Sequence, residues 1–496
     1  MRLTELCSGA RLESIFGPGG VEVAGDAEVR RVVEDSRRAQ DGDCFVAVRG
    51  TATDGHRYIA QAVAAGCTAV VCEDPTAVPP GTARAVVADT RRAIGPLAQA
   101  ALGWPSRRLR VVGVTGTNGK TTFTYLLREI LAAVGRRVGL FGTVVYDTTA
   151  RTTRARTTTP GAVELAELMA EAAAAGATDL LMEVSSHALD QRRTDGIELA
   201  VGVFTNLTLD HLDYHGTMED YAAAKRRLFE SLRPGATAVL NRDDPHSEEM
   251  ASAAGEGTAK LWYGLSPAAD LYAQVRAVDL SGSRFVINWA GRSAEVATAL
   301  VGRHNVLNCL AAAAAAVALG VELEVIASAL GRVSCVPGRL QRVPAEVPFH
   351  VLVDYAHTDD ALKNVLSALA PIKGDGRLIL VFGCGGDRDR TKRPRMAAVA
   401  EGYADHIFVT SDNPRSEEPM AIIEEILTGF SALGRSKLRV EPDRRKAIAA
   451  ALDAARPGDV VLIAGKGHED YQIIGSRRVH FDDLQTAGEL LRRRGL

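Results

Sequence analysis

The chain has 496 residues, of which 46% are hydrophobic and 24% are charged. This composition excludes an intrinsically disordered chain, and the length predicts about three domains at roughly 150 residues each. The 58 Lys and Arg nearly balance the 61 Asp and Glu, which gives a formal net charge of −3. No broad basic field is therefore expected to bind nucleic acid or an anionic membrane.

The sequence also predicts a cytoplasmic protein without membrane insertion. Its longest apolar stretch, residues 310–320, is far shorter than the ~20 residues that a membrane-spanning helix needs. The N-terminal residues lack the apolar segment and the cleavage site of a secretory signal peptide. The seven cysteines form no CxxC pair and no zinc-binding spacing, which favours reduced, mostly buried thiols.

The first hundred residues alternate short strands with helical segments. Strand-like runs cover residues 44–48, 69–72 and 85–88, and residues 58–65 are typical of a helix. The sequence GWPS, Gly103 to Ser106, then breaks the pattern as a linker does. We therefore predict a smaller N-terminal α/β domain over residues 1–103.

A different pattern begins after this linker. Residues 108–114 form an uninterrupted apolar run that is typical of a strand buried on both faces of a parallel sheet. A Gly-rich turn, a helix over about 121–134 and a strand over 138–141 complete a βαβ unit. Further apolar runs at 178–184, 200–206 and 237–241 predict an α/β doubly wound parallel sheet of the P-loop type for residues 104–336.

A second break at Val333 to Arg339 introduces a third domain, which we predict over residues 337–496 as a Rossmann-like sheet. Four buried strands occur there in HVLVDYAH, RLILVFGCGG, DHIFVTSDNPR and DVVLIAGKGHE, and each ends in polar or Gly-rich residues. Ligands of open α/β sheets bind outside the carboxyl ends of the strands, so these strand ends are the expected functional positions.

The segment GVTGTNGKTT, Gly113 to Thr122, predicts a phosphate-binding loop between a strand and a helix. Glycines at 116 and 119 allow backbone N–H groups to approach phosphates, Lys120 can reach the terminal phosphates, and Thr121 offers a hydroxyl to Mg²⁺. The spacing differs from the strict P-loop pattern because Val114 occupies the position of the first Gly. Glu183, at the end of LLMEV, suits a Mg²⁺ ligand, and His211 follows the next strand end.

Ten segments together resemble the Mur ligase family of cell-wall synthesis. They occur in the family's order: GTNGKTT, EVSSHAL, NLTLDHLDYHG, YAAAKRRLF, GRHNVLN, PGRLQ, DYAHTDDAL, GGDRD, DNPR and GKGHE. The resemblance runs from about Asp35 to Glu469. It implies an N-terminal domain that binds the uridine end of a UDP-sugar substrate, a central ATP-binding domain and a mobile C-terminal domain that binds the incoming amino acid.

Within the family, the resemblance is greatest to ligases that add meso-diaminopimelate to UDP-N-acetylmuramoyl-L-alanyl-D-glutamate. It implies that ATP converts the substrate carboxylate into an acyl phosphate, which the amine of diaminopimelate attacks through a tetrahedral intermediate. It also implies two Mg²⁺ ions, a CO₂-derived carbamate on Lys225, small-molecule substrates as the partners, and a monomer.

The resemblance assigns roles to residues in four groups. The catalytic and metal-binding group is Lys120, Thr121, Glu183, His211 and Lys225. The ATP-binding group is Gly116, Thr117, Asn118, Gly119, Lys120, Thr121, Thr122, Asn305, Arg339 and Asp354. The group for the UDP-sugar dipeptide is Ser36, Thr51, Ala52, Thr53, Thr157, Thr158, Thr159, Ser185, Gln191 and Arg193. The diaminopimelate group is Arg388, Asp412, Asn413, Pro414, Arg415, Gly465 and Glu469.

Arg415 is the residue on which the choice of diaminopimelate depends. Diaminopimelate differs from lysine by a second carboxylate, and a guanidinium is a planar fork that suits this group. Asp412 has two open interpretations: it orients Arg415, or it accepts a hydrogen bond from an amine.

Alternative functions remain open from the sequence. One is a related ligase that adds L-lysine or another amino acid, and another is a folylpolyglutamate-type ligase. A non-catalytic nucleotide-binding regulator and a small-molecule kinase are further hypotheses.

Overall fold

The computed structural model describes residues 1–50 and 53–493. Three sheets follow one another along the chain, each with its own hydrophobic core. The first sheet has the order β1-β5-β4-β3-β2, in which β1 is antiparallel to β5 and the other pairs are parallel. Its strands are β1 (Val21–Ala24), β2 (Arg31–Val33), β3 (Asp43–Val46), β4 (Ala69–Cys72) and β5 (Ala83–Val87). Its helices are α1 (Leu3–Gly9), α2 (Leu12–Phe16), α3 (Ile59–Ala64) and α4 (Thr90–Ala101).

The central sheet has the order β16-β15-β14-β13-β12-β11-β6-β10-β7-β8-β9. Its strands are β6 (Arg110–Thr115), β7 (Val138–Phe141), β8 (Val145–Asp147), β9 (Thr152–Arg154), β10 (Asp179–Glu183), β11 (Leu199–Phe204), β12 (Thr237–Asn241), β13 (Ala259–Gly264), β14 (Leu271–Asp279), β15 (Gly282–Trp289) and β16 (Arg292–Thr298). Its helices are α5 (Lys120–Ala133), α6 (Ala162–Ala174), α7 (Ser186–Asp190), α8 (Leu212–His215), α9 (Met218–Glu230), α10 (Ser247–Ala253), α11 (Arg303–Ala318) and α12 (Leu323–Arg332).

The centre of this sheet is parallel, as the apolar runs predict, but both of its edges are antiparallel. Strands β7, β8 and β9 form one antiparallel edge, and β14, β15 and β16 form the other. The predicted parallel sheet therefore describes the centre, and the antiparallel edges were not predicted. Edge strands expose one face to water and lose the continuous apolar run that identifies a doubly buried strand.

The C-terminal sheet has the order β17-β18-β22-β19-β20-β21, in which β17 is antiparallel to β18 and the other pairs are parallel. Its strands are β17 (Gln341–Arg342), β18 (His350–Asp354), β19 (Leu378–Phe382), β20 (His406–Val409), β21 (Leu438–Val440) and β22 (Val460–Ala464). Two further strands, β23 (Tyr471–Ile474) and β24 (Arg477–His480), form a separate hairpin. Its helices are α13 (Asp359–Leu369), α14 (Lys392–Tyr403), α15 (Pro419–Leu427), α16 (Ala432–Arg435), α17 (Arg444–Ala454) and α18 (Asp483–Arg492).

The fold class agrees with the predicted one, an α/β chain of three units. The domain limits at 103/104 and 336/337 stay predictions. Across residues 1–50 and 53–493, the helices are all too short or too polar to cross a lipid bilayer. The seven cysteines are free thiols, and all but Cys335 are buried, as the sequence predicts.

Candidate active site

The phosphate loop, residues 116–119, joins β6 to α5, and its two glycines are sterically required. Gly116 has φ +150°, and a Cβ there would lie 1.9 Å from Thr205 Oγ1. Gly119 has φ +90°, and a Cβ there would lie 2.4 Å from Asn308 Oδ1. A side chain at either position would displace the loop from the neighbouring strand end or from α11.

Backbone N–H groups of the loop are partly used inside the protein. The N–H of Thr117 donates to Asn206 O at 2.9 Å, and the N–H of Asn118 donates to Asn206 Oδ1 at 2.9 Å. Helix α5 begins after Gly119 without a side-chain cap. Because the first N–H groups of a helix have no partner within it, the first turn of α5, which includes Thr122, offers donors and positive potential to an anion.

Lys120 lies at the start of this helix and folds back over the loop. Its Nζ donates to Gly116 O at 2.7 Å and to Thr117 O at 2.9 Å. Burial lowers the pKa of Lys120, against an opposing effect of Glu183 and Asp210. The ammonium is thus held beside the phosphate loop by weak carbonyl acceptors that a phosphate can replace.

Glu183 ends β10 and is almost fully buried, with 1% exposed. Its Oε2 accepts from Thr121 Oγ1 at 3.1 Å and from Thr143 Oγ1 at 2.8 Å, and its Oε1 accepts from Thr143 N at 3.0 Å. Arg339 Nη2 donates to Thr121 Oγ1 at 3.1 Å. Arg339, at the second predicted break, therefore contacts the phosphate-loop helix.

A pocket of about 300 Å³ lies beside the loop. It is lined by seven of the predicted ATP-binding residues, Asn118, Gly119, Thr121, Thr122, Asn305, Arg339 and Asp354.

Asn305 and Asp354, like Thr121 and Arg339, also have partners within the protein. Asn305 Nδ2 donates to Val301 O at 2.8 Å. The carboxylate of Asp354 accepts from the N–H of Leu340 at 2.7 Å and from the N–H of Ala356 at 2.8 Å. Asp354 therefore shapes the segment that carries Arg339, whatever it contacts in a bound nucleotide.

His211 belongs to a group of rings close to Lys225. The ring centroids of His211 and His187 are 4.8 Å apart, and those of His211 and Tyr221 are 6.1 Å apart. Lys225 Nζ lies 4.2 Å from the centroid of the Tyr221 ring. Burial lowers the pKa of His211 to about 4, although 42% of the side chain faces the open cavity. A neutral imidazole is the form that binds a metal ion.

Lys225 lies on α9 with 1% of its surface exposed. Burial, reinforced by the charge of Lys120, moves the pKa of Lys225 well below its ordinary value. Among the described residues, no carboxylate forms a salt bridge with Lys225, and no cluster of three His, Cys, Asp or Glu residues is arranged to bind a metal ion. A metal ion beside His211 and Lys225 would therefore depend on modification of the lysine.

A cavity of about 870 Å³ lies between the central and C-terminal domains. His211, His187 and Asp210 line its central-domain side. Six of the predicted diaminopimelate residues line the opposite side: Arg388, Asp412, Asn413, Arg415, Gly465 and Glu469. The seventh, Pro414, is buried between Asn413 and Arg415.

Arg388 and Arg415 are bound to backbone carbonyls. Arg388 Nη1 donates to Asp387 O at 3.0 Å, and Arg415 Nη1 donates to Gly386 O at 2.7 Å. Within the described part of the chain, neither guanidinium forms a salt bridge with a carboxylate. Both cations are thus available to an incoming acid.

In the described part of the chain, Asp412 forms no hydrogen bond or salt bridge with Arg415, and its carboxylate faces another cation. Its Oδ1 lies 3.6 Å from Nζ of the fully buried Lys466. Lys466 Nζ also donates to Glu469 Oε2 at 3.2 Å, and Asn413 Nδ2 donates to the same oxygen at 2.9 Å. These contacts fix an acidic corner of the cavity, and a Cβ at Gly465 would lie 2.7 Å from Asp412 Oδ2.

The predicted dipeptide-binding residues of the central domain form one hydrogen-bonded group. Thr159 Oγ1 donates to Glu183 O at 2.8 Å, and the N–H of Ser185 donates to Thr159 Oγ1 at 3.0 Å. Arg193 Nη1 donates to Thr159 O at 2.9 Å, and Arg193 Nη2 donates to Gln191 Oε1 at 2.6 Å.

The two remaining threonines of this loop lie beside the same group. The hydroxyls of Thr158 and Thr143 are 3.2 Å apart, and Thr157 Oγ1 donates to Thr159 O at 3.0 Å. The group therefore lies directly beside Glu183.

The N-terminal part of this predicted site lies outside both cavity linings. Ser36 Oγ donates to Gln61 Oε1 at 3.3 Å, and Thr53 Oγ1 lies 3.3 Å from Tyr58 OH. Thr51 and Ala52 lie outside the described residues.

The N-terminal domain nevertheless reaches the dipeptide group. A Cβ at Gly161 would lie 2.8 Å from Glu34 Oε1. The domain therefore packs beside the loop that contains Thr157, Thr158 and Thr159.

Comparison with known proteins identifies this arrangement. Residues 28–103 match the model of the Mur ligase family, catalytic domain; residues 114–316 match the Mur ligase middle domain; and residues 338–467 match the Mur ligase, glutamate ligase domain. A relative from Geobacter metallireducens, named UDP-N-acetylmuramoyl-L-alanyl-D-glutamate–2,6-diaminopimelate ligase, is 45% identical over 94% of each chain. This chain belongs to the Mur ligase family.

Further relatives carry the same name. One from Syntrophomonas wolfei is 42% identical over 99% of each chain. A solved structure of a UDP-N-acetylmuramoyl-L-alanyl-D-glutamate–2,6-diaminopimelate ligase is 34% identical, with a TM-score of 0.67, over 94% of this chain and 96% of that chain. The family predicted from the ten segments is thereby confirmed.

Several residues of this Mur ligase site were missed in the sequence. Thr143 lies two residues after the end of β7, and Asn206 and Thr208 lie two and four residues after the end of β11, so each stands close to a strand end. Strand-end position is the signal that could have identified them. Asp360, described below, has no such signal because its contacts cross between domains.

Proposed function

We propose that this Mur ligase catalyses the ATP-dependent addition of meso-diaminopimelate to UDP-N-acetylmuramoyl-L-alanyl-D-glutamate in peptidoglycan precursor synthesis. The relatives that cover nearly the whole chain carry the name of this reaction with 2,6-diaminopimelate. The observation that carries the proposal is the 870 Å³ cavity, in which the histidines beside the phosphate loop face Arg388 and Arg415, two arginines that have no salt bridge within the described residues.

The chemistry needs a good leaving group on a carboxylate. The γ-phosphoryl group of ATP is transferred to the free carboxylate of the D-glutamyl residue, which gives an acyl phosphate and ADP. The amine of diaminopimelate then attacks the acyl carbon, and the tetrahedral intermediate releases phosphate and leaves an amide. Lys120 and the first turn of α5 hold the phosphates and stabilise the charge that develops on the oxygens being transferred.

The residues around Glu183 fit a Mg²⁺ ion. The hydroxyls of Thr121 and Thr143 lie 3.1 Å and 2.8 Å from Oε2 of Glu183, and Mg²⁺ prefers such oxygen ligands. Thr121 and Glu183 would hold a first ion, and His211 with a carbamate on Lys225 would hold a second. Such ions neutralise charge on the phosphate and acyl oxygens.

Carbamylation of Lys225 is supported by its surroundings. A carbamate forms when a neutral amine attacks CO₂, and a buried lysine beside another cation favours the neutral form. The product is an anion, which would relieve the repulsion between Lys225 and Lys120. Lys225→Ala should therefore lose nearly all turnover, and acetate or formate should restore part of it by supplying the missing carboxylate.

The matched control for Lys225 is Lys363→Ala, which removes an exposed lysine from α13. It should retain activity and show no response to acetate. Full activity of Lys225→Ala without added acid would contradict the carbamate.

The amino acid is selected by charge. Arg415 and Arg388 suit the distal carboxylate of diaminopimelate. The corner formed by Asp412, Glu469 and the Gly465 backbone suits its ammonium group. L-Lysine lacks the distal carboxylate and would leave one guanidinium without its acceptor.

The UDP-sugar dipeptide is bound by Ser36, the 51–53 segment, the 157–159 loop, Ser185, Gln191 and Arg193. We place the enzyme in the cytoplasm as a monomer, without nucleic-acid partners or membrane insertion, in keeping with its net charge of −3 and its free thiols.

The decisive experiment measures the products. We combine purified enzyme with ATP, Mg²⁺, the UDP-sugar dipeptide and an equimolar mixture of meso-diaminopimelate, L-lysine and L-glutamate. The products are identified by their masses in a mass spectrometer. We expect the diaminopimelate adduct, with ADP and phosphate in equal amounts. A lysine or glutamate adduct as the main product would overturn the substrate assignment, and a phosphorylated final product would indicate a kinase.

A further inference from the structure

Asp360 makes an unusual set of contacts across the domain interface. It lies in the first turn of α13, in the C-terminal domain. Its Oδ2 accepts from Thr208 Oγ1 at 2.7 Å, from Asn118 Nδ2 at 2.8 Å and from Asn364 Nδ2 at 3.1 Å. Two of the three donors belong to the central domain, and Asn118 is part of the phosphate loop.

The central-domain donors are themselves fixed to the loop. Asn118 is held through its backbone, since Thr205 Oγ1 donates to Asn118 O at 2.6 Å and Asn206 Oδ1 accepts from its N–H. The N–H of Thr208 donates to Thr117 Oγ1 at 3.0 Å. The side-chain amide of Asn118 is therefore the part of the loop that faces α13.

The contact of Asp360 with Asn118 and Thr208 can form and break as the domains dock and separate, because it pairs one charge with neutral donors. In the described residues, no Lys, Arg or His forms a salt bridge with Asp360, so a carboxylate meets neutral donors only. Such charge-assisted hydrogen bonds are stronger than neutral ones. When the domains separate, water can solvate the partly exposed Asp360, and no unpaired charge is left buried.

We propose that Asp360 is a positioning residue that couples docking of the C-terminal domain to the geometry of the phosphate loop. The inference rests on the proposed ligase reaction, because that reaction brings diaminopimelate on the C-terminal domain to an acyl phosphate on the central domain. Asp360 is not among the residues that line the 870 Å³ cavity or the 300 Å³ pocket. It fixes the distance between the two halves of the 870 Å³ cavity by binding Asn118 and Thr208.

Four single variants and one double variant test this role. The single variants are Asp360→Ala, Asp360→Asn, Thr208→Val and Lys363→Ala, and the double variant is Asp360→Ala/Thr208→Val. Lys363→Ala is the matched control because Lys363 is exposed on the same helix. Two quantities are measured: kcat/KM for diaminopimelate, and the compaction seen by small-angle X-ray scattering when the non-hydrolysable analogue adenylyl imidodiphosphate and Mg²⁺ are added.

We expect Asp360→Ala to lower kcat/KM for diaminopimelate by about tenfold or more, and to compact less than the wild type. Asp360→Asn retains one acceptor oxygen, so its kcat/KM and its compaction should lie between those of the wild type and those of Asp360→Ala. The double variant Asp360→Ala/Thr208→Val should be no worse than Asp360→Ala alone, because both changes remove the same contact. Lys363→Ala should match the wild type.

Equal rates and equal compaction for Asp360→Ala and Lys363→Ala would overturn the inference. If Asp360→Ala does not fold, Asp360→Asn and Thr208→Val give the same comparison. The two proposals fail separately: a wild type that forms no diaminopimelate adduct refutes the ligase assignment, whereas the scattering measurement still tests the contact of Asp360 with the phosphate loop.

Discussion

Removal of the Arg415 side chain tests amino-acid recognition most directly. The backbone of Arg415 is held independently of its guanidinium: its N–H donates to Ile473 O at 3.0 Å, and its carbonyl accepts from the N–H of Gly475 at 2.7 Å. Its φ of +54° is already left-handed with a non-glycine residue, so Arg415→Ala adds no new backbone strain. The substitution therefore removes a cation without moving the loop.

The size of the effect follows from the exposure of the side chain. A hydrogen bond between charged groups contributes about 1.5–3 kcal/mol, and Arg415 is half-buried. A value of about 2 kcal/mol corresponds to a roughly thirtyfold rise in KM for diaminopimelate. KM for ATP should change less than about threefold, because Arg415 lines the 870 Å³ cavity and not the 300 Å³ pocket beside the phosphate loop.

The assay is steady-state release of phosphate, with one substrate varied at a time. Arg439→Ala is the control, since Arg439 is exposed on the edge strand β21, and it should leave both constants unchanged. An equal rise of KM for ATP and for diaminopimelate in Arg415→Ala would refute the assigned contact.

Three further predictions concern the site and the stability of the domains. In Gly142→Ala the new Cβ would lie 2.3 Å from Glu183 Oε1, so kcat should fall roughly one-hundredfold while the melting temperature stays close to that of the wild type. Arg444→Ala leaves the buried Asp483 unpaired, and should destabilise the C-terminal domain by about 3–5 kcal/mol, measured by hydrogen exchange of β22. Hydrogen bonds from the buried Arg393 lower the pKa of Glu417 from 4.5 to about 2. The stability that the ionised Glu417 contributes is therefore present above about pH 4.5 and is lost as the pH falls toward 2. The thermal unfolding of Glu417→Gln should depend less on pH in that range than that of the wild type.

The parallel core of each domain could be predicted from the sequence because its strands are buried on both faces. The predicted limits of β7, residues 138–141, and of β12, residues 237–241, agree with the structure. Continuous apolar runs leave little choice of element or register. Strands β14 to β16 escaped prediction because alternating exposure weakens this pattern in a long antiparallel edge.

In the candidate site, too, some residues could be predicted from the local sequence and others could not. The phosphate loop and Glu183 follow local rules, since a Gly-rich turn before a helix and a carboxylate after a strand are recognisable within a few residues. Thr143 could be found by the same rule. The partner of Asp412 could not, because Lys466 comes from another strand end and reaches Asp412 only when β20 and β22 lie in one sheet.

The adjacent residues Asp359 and Asp360 show where sequence reasoning ends. Both are aspartates in the first turn of α13, and successive helix positions point in directions about 100° apart. Asp359 forms a salt bridge with Arg395 of its own domain at 3.2 Å, whereas Asp360 binds Asn118, 242 residues away in the chain. Nothing local distinguishes the two carboxylates. Their different roles arise from the direction in which docking of the C-terminal domain presents α13 to the phosphate loop, so a contact of this kind has to be read from the three-dimensional arrangement of the domains.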